Sequence, residues 1–272
     1  MDIRIPMEVL ITDGEQRFSE LDFYHGSKAL EGTSEAIAVL SNAILNQDIV
    51  KKVPSIEGIN AIFRNSYEGS FGQRFELKIA GPRQKENYHR IGERAFFEVL
   101  GFYLTRPLMN DFDFKMLKSR RVVDELSELY TPIMKRLYNP FLKLHKPVEE
   151  QHYSVILKRA RTQIVRYDSV SLENLTRERV DEERTIIHAS ITRFNRLTGT
   201  GRMILDEDSE SVSFEPAILW RDFPLSQKKT LSRNLDANNQ VENFTTLTLE
   251  VSVVRNYLGD VKKYCLHQVI IG

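Results

Sequence analysis

The sequence predicts an α+β chain in two domains: an N-terminal α/β domain over 1–168, with a small sheet and three main helices, and a C-terminal five-stranded β-barrel over 184–272. Three observations lead there. Between Leu30 and Leu137 the apolar residues recur at three- and four-residue spacing, the period of helices that bury one face. Towards the C-terminus the period becomes two: Leu247, Leu249, Val251 and Val253 alternate with Thr246, Thr248, Glu250 and Ser252, which makes one face dry and the other wet. Between these regimes runs a polar connector, Asp168–Glu183, the natural place for a domain boundary.

Ile3–Ile11 alternates as a first strand, and Thr12-Asp-Gly14 supplies turn chemistry after it. Ser19-Glu-Leu-Asp22 offers helix-capping side chains, and Leu30, Ile37, Leu40 and Ile44 then share a face over about four turns. Gly26 and Gly32 predict a break early in that helix. Pro54 and Gly58 close the following loop, and Ile59–Arg64 and Phe75–Ile79 read as short strands joined through Tyr67-Glu-Gly-Ser-Phe71. Tyr88, Ile91, Ala95, Val99 and Phe102 form a second helical stripe that Pro107 ends. Val122, Leu126, Leu129, Ile133 and Leu137 form a third, with Asn139-Pro140 as its stop.

Tyr153–Leu157 and Thr162–Tyr167 are further strands. Beyond the connector, Thr185–Phe194, Gly201–Asp206, Ser211–Phe214, the alternating run at 246–253 and Tyr264–Ile271 supply five strands, the number of a small barrel. A short helix, Ser226–Asn234, falls before the last hairpin, which turns at Tyr257-Leu-Gly-Asp260.

Composition excludes several functions. Lys plus Arg and Asp plus Glu both number 38, so no global field draws the chain to nucleic acid or an anionic membrane, and any such site is a local patch. The single cysteine, Cys265, rules out a disulfide framework or a multi-cysteine zinc site, and its strand position suits an inert thiol. No apolar run approaches the roughly 20 residues that span a bilayer, and charged residues and Pro6 interrupt the N-terminus, so a cytoplasmic location without membrane insertion is expected.

No nucleophile, base and orienting group, and no set of metal ligands, stand at a chemically demanding spacing. The six histidines (25, 89, 145, 152, 188 and 267) include no pair at i, i+2 or i, i+4, and neither a G-x-x-x-x-G-K-[ST] nor a G-x-G-x-x-G motif occurs. No cofactor and no metal are therefore expected. Glu76-Leu-Lys78 has the Glu-x-Lys form of metal-dependent nucleases, in which a carboxylate holds Mg²⁺ and a lysine positions water; such a site also needs an upstream acid on a neighbouring strand, where Ile59–Arg64 offers only Asn60 and Arg64, so alternating exposed charges on a half-buried strand are the favoured explanation. Lys158, Arg159, Arg161 and Arg166 lie in an acid-free stretch and would contact phosphates if they shared a surface. The most concentrated polar group flanks the turn Leu197–Arg202: Arg193, Asn195, Arg196 and Arg202 gather at one strand end, where guanidinium forks suit a phosphate or a base edge. Hairpin geometry accounts for the Gly199-Thr-Gly201 turn itself.

Thr12-Asp-Gly14, the helix start Tyr24…Ala29-Leu-Glu-Gly32, the strand lead-in Glu68-Gly-Ser-Phe71 and the turn Ile191-Thr-Arg-Phe-Asn195…Gly201-Arg202 together resemble a bacterial family of unknown function. That resemblance implies an N-terminal α/β domain before a five-stranded barrel, and an accessory role in anti-phage defence; it carries no catalytic residues across. The expected function is a non-enzymatic binding or adaptor component of a bacterial defence system. Its expected partner is a protein, or a second copy of the chain in a homo-oligomer, with nucleic acid reached through local basic patches. The alternatives are a metal-dependent nuclease using Glu76 and Lys78, and a structural subunit docking through apolar residues such as Trp220 and Phe223.

Overall fold

Strand β1 (Ile3–Thr12) buries Ile5, Met7, Val9 and Ile11 and turns the intervening residues the other way, the alternation its sequence displays. A computed structural model describes residues 1–14, 20–49, 58–67, 71–109, 111–239 and 244–270 of the chain. They form two compact units, Met1–Leu175 and Thr176–Gly272, each with its own sheet. No helix among the described residues is long and apolar enough to cross a membrane.

In the first unit β1 is the central strand. It lies between β3 (Phe71–Ile79) and β4 (Ser154–Arg159), with β2 (Ile59–Tyr67) outside β3 and β5 (Thr162–Tyr167) outside β4. All four pairings are antiparallel. The expected Tyr67–Phe71 turn, Pro54 and Ser19 fall partly or wholly outside the described residues.

Helix α1 (Phe23–Asn46) starts where the Asp22 carboxylate accepts the His25 N–H at 3.0 Å. It runs unbroken through Gly26 and Gly32, contrary to the expected break. Gly32 serves packing instead: a Cβ there would lie 2.4 Å from the Pro140 carbonyl oxygen and 2.7 Å from the Leu144 nitrogen. Gly32→Ala is expected to cost about 2 kcal/mol in a urea titration, because the overpacking outweighs alanine's better helix propensity. An unchanged midpoint would show that the facing helix shifts freely.

Other boundaries also differ from the sequence pattern. The stripe Tyr88–Phe102 is split at Gly92, whose φ of 85° lies outside the helical range, into α2 (Pro82–Ile91) and α3 (Glu93–Leu104). The third stripe divides into α4 (Leu117–Glu125), a 3₁₀ turn and α5 (Tyr130–Leu144). Pro140 sits inside α5 rather than ending it, because burial of Leu137, Phe141 and Leu144 outweighs one missing N–H. Helix α6 (Lys146–Gln151) leads into β4, and α7 (Ser169–Thr176) occupies part of the expected connector.

The second unit is a closed barrel. Strand β6 (Arg179–Val180) adds to its edge; the wall is β7 (Thr185–Phe194), β8 (Gly201–Ile204), β9 (Val212–Pro216), β10 (Leu247–Arg255) and β11 (Val261–Ile270). Pairing runs β7-β8-β9-β11-β10 and returns to β7, with only β9 and β11 parallel. Helix α8 (Leu225–Ala237) lies between the third and fourth wall strands. A five-stranded Greek-key barrel of this order is the architecture of OB-fold domains.

The barrel core gathers Ile191, Met203, Phe214, Val251 and Leu266, and α8 inserts Leu231. Asn234 fastens that helix: its Oδ1 accepts the Ile191 N–H at 2.8 Å and its Nδ2 donates to the Thr245 oxygen at 2.7 Å. Phe223, expected beside Trp220 at the surface, is buried.

Candidate functional site: the cationic end of the barrel

The turn between β7 and β8 is built by Asn195. Its N–H donates to the Thr200 oxygen, its carbonyl accepts from Gly199, and its Oδ1 accepts from Leu197, all within 2.8–2.9 Å. Gly199 adopts a φ of +76°, and a Cβ there would lie 2.3 Å from Cε3 of Trp220. Only glycine meets both conditions. Trp220 in turn donates its indole N–H to the Arg196 carbonyl at 2.9 Å and packs edge-on against Phe194.

The four polar residues of this turn therefore divide by role. Asn195 is committed to the backbone. Arg202 is spent on the next loop: its Nε donates to Ser211 Oγ at 2.8 Å, one terminal nitrogen to Ser213 Oγ at 3.2 Å and the other to the Ser211 carbonyl. Arg193 stands opposite Arg202 across the strand pair. Arg193 and Arg196 are exposed and form no ion pair among the described residues.

Arg196 borders a cleft of about 470 Å³ whose other wall is α8. Lys228, Lys229 and Arg233 line it with Phe194, Trp220 and Leu225, and among the described residues no carboxylate does. Lys228 places its ammonium 4.9 Å from the Trp220 ring centroid and donates to the Arg221 carbonyl at 3.2 Å. Lys229 and Arg233, four apart on the helix, have no ion pair among the described residues. These three α8 cations escaped the sequence reading. The signal for them is that residues 184–205 and 223–235 contain no Asp or Glu, and these are the two stretches that meet here.

The members of the other basic group have separate neighbours. Arg159 stacks on Phe97 of α3 at 4.4 Å and pairs with Glu93, whereas Lys158 stands opposite Glu8 on β1 and Arg166 donates to Ser154 Oγ at 2.9 Å. Arg161 follows the left-handed Ala160 in the β4–β5 turn. Glu76 accepts from Arg64 at 2.5 Å and Arg4 at 3.2 Å, which holds its carboxyl below the usual range, and Lys78 pairs with Asp2 at 3.0 Å. Among the described residues no group of three or more His, Cys, Asp or Glu side chains is placed to hold a metal ion.

Both barrel histidines are hydrogen-bonded, His188 to Thr248 and His267 to Ser252. The Cys265 thiol is half-buried and pushed up by that burial and by Glu215. Compared with protein-family models, curated proteins and solved structures, the chain matches none. What stands of the resemblance is its architecture, a sheet-and-helix region before a closed five-stranded barrel.

Proposed function

We propose that the chain is a non-enzymatic binding or adaptor protein that docks an anionic macromolecule on the cationic end of its barrel. One observation carries this reading: two acid-free stretches, distant in sequence, fold together so that Arg196, Lys228, Lys229 and Arg233 converge on a cleft that no carboxylate of the described residues lines, in a chain of zero net charge. Cations held together without counter-charges attract an anion at long range and release counterions on contact. Fold alone does not assign a ligand. Service in a bacterial defence system rests on the sequence resemblance.

Immobilised heparin is a suitable polyanion probe. Arg196→Ala with Arg233→Ala is expected to shift elution to lower salt and to reduce the salt dependence of binding by about two counterions, with an unchanged melting temperature. Arg202→Ala is a poor probe, because it frees the β8–β9 loop as well as removing a charge. Unaltered retention of the double variant would rule the cleft out as the docking surface.

A further inference from the structure

We infer that this cleft takes an acidic segment of a partner protein that carries leucine-type side chains. The inference rests on the reading of the barrel end as an anion-docking surface and adds the chemical class of the partner. Two features of the cleft choose between a polypeptide and a nucleic acid.

The first is how the aromatic residue is used. Single-stranded nucleic acid is held by cations together with rings on which bases stack. Trp220 is engaged internally: Gly199 abuts it, Lys228 sits over it at 4.9 Å, and Phe194 and Phe223 lie 5.8 and 5.2 Å from it. Phe194 is itself stacked on Phe214.

The second is what the surface exposes. Leu225, in the cleft lining, is 66% exposed, and Leu197 and Leu219, next in sequence to Arg196 and Trp220, are 74% and 61% exposed. Aliphatic side chains displayed beside cations that pair with no carboxylate of the described residues match the two halves of an acidic amphipathic segment. Burying one leucine is worth about tenfold or more in affinity, whereas an exposed ion pair is worth up to about fivefold. Leucine contacts thus set the strength of docking, and the cations set the sign of the partner.

The test uses the full chain and three fluorescent probes: a 16-residue peptide of Glu with Leu at every fourth position, the same peptide with Ser for Leu, and a 20-mer of thymidine. The leucine peptide is expected to bind at least about tenfold tighter than the serine peptide. Leu225→Ser and Leu197→Ser, both at exposed positions, should each remove about tenfold for the leucine peptide, and Leu197→Ser, outside the cleft lining, should leave heparin retention intact. Lys229→Glu with Arg233→Glu should abolish binding of either peptide. Equal binding of the two peptides, or of neither, overturns the inference. So does a thymidine 20-mer that binds tighter than the leucine peptide and ignores Leu225→Ser; the anion-docking reading then stands with nucleic acid as the partner. Unaltered heparin retention in the cation variants would instead sink that underlying reading.

Discussion

Trp220→Ala is expected to lower the stability of the barrel by about 3 kcal/mol, the low end for removing a large packed aromatic, and to weaken polyanion binding with it. Trp220 touches each part of the candidate site. Its N–H holds the Arg196 carbonyl, Gly199 is shaped to it, and Lys228 rests on its ring. Without the indole the β7–β8 turn loses its anchor to the segment that leads into α8, and the cations on the two sides of the cleft lose their common support. Trp220→Phe separates packing from hydrogen bonding: it should cost about 1 kcal/mol for the lost N–H donor and retain most of the heparin affinity. Urea unfolding followed by far-ultraviolet circular dichroism measures both, since the variants lack the chain's one tryptophan. A wild-type midpoint for Trp220→Ala would show that Asn195 alone holds the turn.

The barrel was the most legible part of the chain, because its strands bury one face and leave the period-two record of Leu247–Val253 in plain sequence. Helix breaks were less legible. Gly92 and Gly32 are the same residue type within similar apolar stripes, yet one separates two helices and the other admits the backbone of α5. Only the partner helix distinguishes them, and a stripe pattern contains no partner. Pro140 makes the same point in reverse, since its burial against the core is a tertiary fact.

The candidate site was half legible. Arg193, Asn195, Arg196 and Arg202 are adjacent in sequence, so a turn was enough to gather them. Their separate roles depend on Ser211, Ser213 and Trp220, which the fold brings in from other segments. Lys229 and Arg233 join Arg196 only because α8 packs against β7. Spacing within a segment identifies the first kind of cluster; the second becomes visible in sequence only as a shared lack of acids.

Acidification is expected to remove about 3 kcal/mol from the first unit through one residue, His145. Its imidazole is wholly buried: Nδ1–H donates to the Phe141 carbonyl at 2.7 Å, Nε2 lies 2.9 Å from Ser171 Oγ, and the ring meets Tyr167 edge-on. Burial pushes its pKa down to about 4 from the usual 6.5, against the opposing pull of the Phe141 carbonyl and of Asp168. The folded state therefore holds a neutral ring where the unfolded chain would take up a proton. A base with a depressed folded pKa stabilises the fold above the unfolded value, and that contribution is lost as pH falls from about 6.5 towards 4. Denaturant titrations at pH 7 and pH 4.5 measure the loss. In His145→Gln the pH dependence over this window should flatten by most of the same amount, although the variant starts from lower stability at pH 7. An equally steep profile in the variant would show that His145 does not carry the acid sensitivity of this window, in which the paired Glu31 and Glu178 have little part because their lowered pKa values place their own losses at more acid pH.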